Sequence, residues 1–293
     1  MTTPRRILSG TLLTSALALG GVLSSSAAAP GANAPTAAPA PFNAAPLDLS
    51  GIWVREGNLW FEAVFGDTDN DGKPINRMRV KSPDAEQIYA GDSTNPILQP
   101  WAREIVKKNA ESEIRLEHVY TADDSCWPSG VPQVLNLLDG IQFLEAKDHI
   151  VIVYQRDHQV RWIWLNQNHS ANPKPSWYGE SVGHYEGDTL VVDTIGQKAH
   201  KMSVVDPFGT PHTDQIQVVE RYRPFKDPGG KGLEITVRVV DPGAFTMPWK
   251  GTAEYRQMRQ PSFDEMICAE NNRSFANGST FGPIPMETKP PAF

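Results

Sequence analysis

Short stretches rich in β-branched and aromatic residues recur along the chain and are separated by Gly, Pro, Asn or Asp. This alternation is typical of strands joined by turns. Seven such stretches cover 58–65, 150–155, 159–165, 189–194, 215–222, 232–240 and 252–257. They predict a mainly β fold, either an antiparallel barrel of the lipocalin-like kind or a sandwich.

One stretch carries a helical pattern instead. Pro100 suits the first helical position, where its missing N–H is not needed. Apolar residues then recur beside charged ones. The apolar stripe is Trp101, Ile105, Val106 and Ile114. We predict one amphipathic helix over 100–114 that packs across the barrel or covers one mouth.

The N-terminal region has the pattern of an export signal followed by a linker. Arg5 and Arg6 precede an uncharged run and then small residues, the three-part pattern of an export signal over 1–29. The arginine pair also fits a twin-arginine signal. Residues 30–46 are rich in Pro and Ala and predict a linker. A single β-rich domain is expected over 47–293, with no membrane span, in a periplasmic or secreted protein.

Composition and charge narrow the functional classes. The 293 residues carry a net charge of -7 and are 40% hydrophobic, which predicts a globular core and disfavours nucleic acid as a partner. Cys126 and Cys268 are the two cysteines. An oxidising compartment favours a disulfide between them, and two thiols on a soft metal are the alternative. No serine-nucleophile, phosphate-loop or dinucleotide motif occurs in the sequence.

A carboxylate is predicted inside the sheet. Period-two alternation places His212, Asp214, Ile216, Val218, Glu220 and Tyr222 on one face of a strand. Because an unpaired buried carboxylate is costly, Glu220 needs a partner or keeps its proton. It is then a general acid or base with a raised pKa, a metal ligand, or half of a structural ion pair with an inward arginine.

Three functional hypotheses follow. In the first, an enzyme of the lyase, hydratase or isomerase type moves protons on a small, flat organic molecule without a bulky cofactor. Its catalytic candidates are Asp193, His212, Glu220 and Arg221, with Arg161 as a further anion partner. In the second, the protein is a lipocalin-type carrier that binds an apolar ligand without catalysis. The ligand-binding candidates are Trp162, Trp164, His169, Trp177 and Tyr222.

The third hypothesis is a metal-dependent oxygenase or hydrolase. No histidine pair has helical metal-binding spacing, so His169 and His212 would combine with Asp193 or Glu220 from separate strands. The stretch 67–72 repeats the first half of a calcium loop. Its twelfth position is Met78, which offers no carboxylate, so a polar hairpin turn is the better interpretation.

Two resemblances add to this picture. Gly51-Ile52-Trp53 is similar to the Gly-x-Trp start of lipocalin-like barrels, although an ordinary first strand explains it equally well. The stretch 186–194, Glu-Gly-Asp-Thr-Leu-Val-Val-Asp-Thr, resembles a large group of secreted bacterial proteins without a secure activity. The Pro-Trp-Ala-Arg stretch at 100–103 and the Cys-Ala-Glu-Asn stretch at 268–271 strengthen that likeness. The chain departs from the group at Glu180, where relatives have His, and at 184–185, where they have Arg or Lys followed by Trp.

Overall fold

The computed structural model describes residues 47–57, 62–63, 78–82, 85–115, 117, 119–259 and 262–268. The export segment, the linker, the stretch 67–72 and most of the predicted strand 58–65 lie outside these ranges. No helix within the described ranges is long and apolar enough to cross a lipid bilayer.

The described chain is mainly β, as predicted, with one α-helix, α1 (Pro100–Ile114). Its strands are β1 (Ile52–Glu56), β2 (Glu62–Ala63), β3 (Met78–Ser82), β4 (Ala85–Ala90), β5 (Ile141–Glu145), β6 (His149–Tyr154), β7 (Val160–Leu165), β8 (Glu180–Glu186), β9 (Thr189–Ile195), β10 (Gln217–Asp227), β11 (Gly230–Val240) and β12 (Trp249–Gln257). Three short 3-10 turns complete the described elements, at Asp123–Ser125, Gln133–Asn136 and Arg156–His158.

Nine strands close into a barrel, which decides between the two predicted architectures. The order is β1-β5-β6-β7-β8-β9-β10-β11-β12, and β1 pairs with β12 to complete the ring. Strand β2 adds to β12, and β3 pairs with β4 in a separate hairpin. The barrel is mixed rather than purely antiparallel, because β7 and β8 run parallel. A parallel pair needs a long crossover connection, and residues 166–179 supply it.

Alternation along the strands fills the barrel with side chains. On β7, Arg161, Ile163 and Leu165 are buried, while Val160, Trp162 and Trp164 are exposed. On β10 the inward face carries Val218, Glu220 and Tyr222, as expected from the period of two. Asp214 is exposed, because the strand begins only at Gln217 and the alternation does not reach back to it. The indole of Trp53 is fully buried and donates to the Leu49 carbonyl at 2.9 Å.

Helix α1 has the predicted bounds and buries Val106 of the predicted stripe, but the rest of its buried face differs. Its buried residues are Ala102, Val106 and Ala110, which recur every four positions. Trp101 and Ile105 of the predicted stripe are instead 42% and 39% exposed. Small side chains face inward because the helix lies close to its neighbours: a Cβ at Gly91 would come within 2.9 Å of the Val106 side chain.

The predicted disulfide between Cys126 and Cys268 is present, with 5.5 Å between the two Cα atoms. It joins the 3-10 turn at Asp123–Ser125 to the segment 262–268. The Cys268 amide also donates to Asp157 at 2.8 Å. The end of the described chain is thereby fixed against the turn that precedes β7.

Candidate functional site

The acid predicted inside the barrel has an arginine partner. Glu220 on β10 and Arg161 on β7 are 0% and 1% exposed. The Arg161 Nη1 and Nη2 atoms donate to the two Glu220 carboxylate oxygens at 3.0 and 2.5 Å. The Tyr222 hydroxyl donates to the same carboxylate at 2.8 Å. This is the structural ion pair with an inward arginine, one of the alternatives left open by the sequence.

Arg161 is also bound by two hydroxyls. Its Nε donates to Ser181 at 3.0 Å and its Nη2 donates to Thr194 at 2.7 Å. Burial works to lower the pKa of Arg161, but the charge of Glu220 and nearby tyrosines outweigh it and hold that pKa well above the ordinary value. The guanidinium therefore stays charged, and the cluster holds the inward carboxylate as an ion-pair partner.

Two other catalytic candidates lie away from this cluster. His212 is 6% exposed, its Nδ1 lies 2.9 Å from the Thr213 carbonyl, and burial lowers its pKa. No hydrogen bond in the described part of the chain joins His212 to Glu220. Arg221 lies on the outer face of β10, where it pairs with Glu186 at 2.7 Å. The four catalytic candidates are thus not brought into one site.

Asp193 does meet a histidine, but on the outer side of the barrel. The His169 imidazole lies between two carboxylates, 3.1 Å from Glu180 and 3.6 Å from Asp193. Gln217 donates to both oxygens of Asp193 at 2.9 Å. The Ser170 amide and hydroxyl each donate to Glu180 at 2.7 Å. Burial opposes the charge of Glu180, but these bonds and His169 outweigh it and lower the pKa of the carboxyl.

Three of the predicted ligand-binding residues converge on a cleft in the outer wall, which we call the aromatic cleft. It has a volume of about 460 Å³ and is lined by Pro128, Val160, Arg161, Trp162, Trp164, Lys174, Ser176, Trp177, Tyr178, Gly179, Glu180 and Ser181. One wall is β7 and the other is the crossover connection 166–179. A volume of this size is in the range of small-molecule sites.

The aromatic rings of the cleft are held in place by their neighbours. Trp162 and Trp164 are stacked, with centroids 5.8 Å apart and planes 19° apart. The His149 ring lies 5.0 and 5.4 Å from these two indoles. Across the cleft, Trp177 contacts Trp127 at 5.5 Å, and the Lys198 ammonium lies 5.3 Å from the Trp177 ring.

The other two ligand-binding candidates are not in the lining of the cleft. Tyr222 is fully buried in the interior, where its ring meets Phe143 edge-on at 5.7 Å. His169 lies 3.1 Å from Glu180, which does line the cleft. Both placements depend on partners from other strands, which a linear pattern does not reveal.

A second cavity, which the sequence did not suggest, opens at one end of the barrel. It measures about 880 Å³ and is lined by Leu47, Asp48, Glu145, Ala146, Lys147, Leu165, Asn166 and Tyr185. The Tyr185 hydroxyl lies 3.4 Å from the Glu145 carboxylate, and burial raises the pKa of Glu145. Glu145, Ala146 and Lys147 are nevertheless exposed, so this cavity is open to solvent.

No group of three or more His, Cys, Asp or Glu within the described ranges is arranged to hold a metal ion. The pair expected to share a site, His169 and His212, does not: His169 lies between its two carboxylates and His212 contacts Thr213.

Comparisons with protein-family models, with curated proteins and with solved structures found no match for this chain.

Proposed function

We propose that this protein binds a small molecule with a flat face in the aromatic cleft and releases it unchanged. One observation carries the proposal: Trp162, Trp164 and Trp177 line a single cleft, although Trp177 comes from a different segment of the chain. Rigid indoles offer a large contact area and lose little side-chain entropy when a ligand binds. The predicted export signal and the resemblance to secreted bacterial proteins favour a ligand met outside the cytoplasm.

The barrel interior supports binding rather than proton transfer. Glu220, the acid expected to act there, is engaged by Arg161 and Tyr222. Both Glu220 oxygens accept hydrogen bonds from a charged guanidinium, which favours a structural role for this carboxylate. A structural role for Glu220 is compatible with a carrier, which needs no proton transfer.

The proposal is tested by screening small molecules for thermal stabilisation of the full chain and by calorimetric titration of the hits. Trp162→Ala and Trp177→Ala should each weaken binding by about tenfold or more, which is about 1.4 kcal/mol. Trp101→Ala is the matched control, because Trp101 is an exposed tryptophan on α1 outside the cleft. The proposal fails if Trp162→Ala and Trp177→Ala bind the ligands as tightly as the wild type and the Trp101→Ala control do.

A second function, catalysis at the edge of the cleft, is favoured by the position of His169. Its ring is oriented by Glu180, which lines the cleft, and it faces Asp193 on the other side. Glu180 is the member of this pair that faces a ligand, so Glu180 would exchange the proton and His169 would position its carboxylate. If a bound ligand is turned over, His169→Asn should lower kcat far more than it changes KM. Equal kcat in the variant and the wild type would remove His169 from the reaction.

A further inference from the structure

We infer that the ligand of the aromatic cleft is a saccharide, a neutral oligosaccharide with a C–H face and several hydroxyls. This inference rests on the proposed binding function and specifies the ligand class of the same site. Three features of the cleft lead to it: the exposure of the stacked indoles, the polar groups at its rim and the balance of charge among them.

The first feature is an exposed aromatic platform. Trp162 and Trp164 occupy alternate positions of β7, so both project outward, and they are 48% and 38% exposed. With centroids 5.8 Å apart, the two stacked rings leave no room for a ligand ring between them. A ligand would therefore pack against the exposed outer surface of the pair and not between the two rings. The faces of indoles are electron-rich, so they attract the slightly positive C–H groups on one side of a sugar ring.

The second feature is the polar rim. Lys174 and Ser176 come from the crossover connection and Glu180 begins β8, and all three line the same cleft as the indoles. They can donate and accept hydrogen bonds beside an apolar floor. A flat hydrocarbon would desolvate these groups without replacing their bonds with water, which costs free energy. Sugar hydroxyls both donate and accept, so they can satisfy an ammonium, a hydroxyl and a carboxylate together.

The third feature is charge balance. The cleft lining carries one carboxylate, Glu180, and one lysine, Lys174, in addition to Arg161, whose charge is paired with Glu220. The pKa of Glu180 is lowered, so its charge is retained near neutral pH. Within the lining these two opposite charges offset each other, and Lys198 beside the Trp177 ring adds a cation at the edge of the cleft, so a cationic ligand is disfavoured. A neutral saccharide is compatible with this lining.

The test uses calorimetric titration of the full chain with a fixed set of probes. The saccharides are the β-1,4- and α-1,4-linked glucose trisaccharides and the trisaccharides of xylose, mannose and N-acetylglucosamine. The aromatic comparison ligands are naphthalene-2-sulfonate and 2-naphthol. We expect one or more trisaccharides to bind with a Kd below about 1 mM. Trp162→Ala should weaken that binding by about tenfold or more, and Trp101→Ala should not change it.

The rim is tested separately with Glu180→Gln. The variant keeps one oxygen acceptor and loses the charge, so saccharide affinity should fall by about threefold to tenfold, while the uncharged probe 2-naphthol should bind as before. A saccharide that binds Trp162→Ala as tightly as the wild type overturns the inference.

The remaining outcomes separate this inference from the proposed function. If aromatic probes bind in a way that depends on Trp162 and no trisaccharide in the set binds, the saccharide inference is overturned and the proposed binding function stands. If neither class binds and the screen yields no ligand that depends on Trp162, both are overturned.

Discussion

Arg161 and Glu220 form a buried, bidentate ion pair that joins β7 to β10 across the inside of the barrel. The two strands are not neighbours in the sheet, since β8 and β9 lie between them. The pair thus links two non-adjacent strands through the interior of the barrel, and its contribution to stability can be measured.

Replacing only one residue of the ion pair should lower the free energy of unfolding far more than replacing both residues together. Glu220→Gln leaves the Arg161 charge buried without its counter-ion, and we expect the free energy of unfolding to fall by about 3 to 5 kcal/mol. Arg161→Met with Glu220→Leu should recover most of that loss. Urea denaturation measures both. The control is Glu186→Gln, which removes the exposed partner of Arg221 and should cost less than about 1 kcal/mol. A Glu220→Gln cost no larger than that of the control would contradict the prediction.

The conformation of the crossover connection, and with it the stability of the fold, should depend on Gly179. Both Gly179 and Gly187 have positive φ, at +65° and +62°, so alanine is strained at either position. At Gly179 the new Cβ would also collide with the Ile195 carbonyl, whereas at Gly187 nothing lies within 4 Å. We expect Gly187→Ala to cost about 1 kcal/mol and Gly179→Ala about 3 kcal/mol or more.

The same pair of variants reports on the cleft. Gly179 lines it and Gly187 does not, so only Gly179→Ala should weaken ligand binding measured by calorimetry. Equal losses of stability in the two variants would show that the contact with Ile195 is unimportant.

Stability should fall as the pH rises through neutrality because of Glu113 on α1. Burial raises the pKa of this half-buried carboxyl to about 7 from a usual 4.5, the Gly91 amide opposes the rise, and nearby Asp206 adds to it. Because the pKa is higher in the folded state, the contribution is fully present below pH 4.5 and is lost as the pH passes about 7. After allowance for solvent screening, the loss should be about 1 to 2 kcal/mol.

Glu113→Gln should flatten that part of the profile, as followed by urea denaturation between pH 5 and pH 8.5, a window of about 3.5 units around the shifted pKa. Glu111→Gln, on the exposed side of the same helix, serves as the control. A loss of stability in the wild type no larger than that in Glu113→Gln over this window would contradict the prediction.

Loss of the disulfide should destabilise the fold strongly, because Cys126 and Cys268 are separated by 142 residues in the chain. The joint replacement of both cysteines by serine should cost about 3 to 5 kcal/mol through the freedom gained by the unfolded state. Dithiothreitol should lower the melting temperature of the wild type and leave that of the double variant unchanged. A reductant effect of the same size on both proteins would argue against the link.

Local patterns in the sequence predict β6, β7, β9, β10, β11 and β12, but not β5 or β8. Glu220 was placed inside because Val218 and Tyr222 lie two residues to either side of it, although the same alternation placed the exposed Asp214 wrongly. Trp162 and Trp164 were named as ligand-binding residues, but their outward direction on β7 was not predicted. The sequence left an inward arginine open as the partner of Glu220 but did not identify it as Arg161, because Arg161 reaches Glu220 only through the closure of nine strands. Likewise, the face of α1 is set by the close approach of Gly91 to Val106, which periodicity does not show.

Because β7 and β8 run parallel, a long crossover connection joins them. The strands of the barrel support the fold, whereas the sequence of this connection can vary. The crossover 166–179 lies outside the closed ring of backbone hydrogen bonds and supplies one wall of the cleft. Exchanging this connection for another of equal length, while the glycine at its end is kept, would graft a new wall opposite the same tryptophans. Ligand preference is thereby open to diversification without rebuilding the barrel.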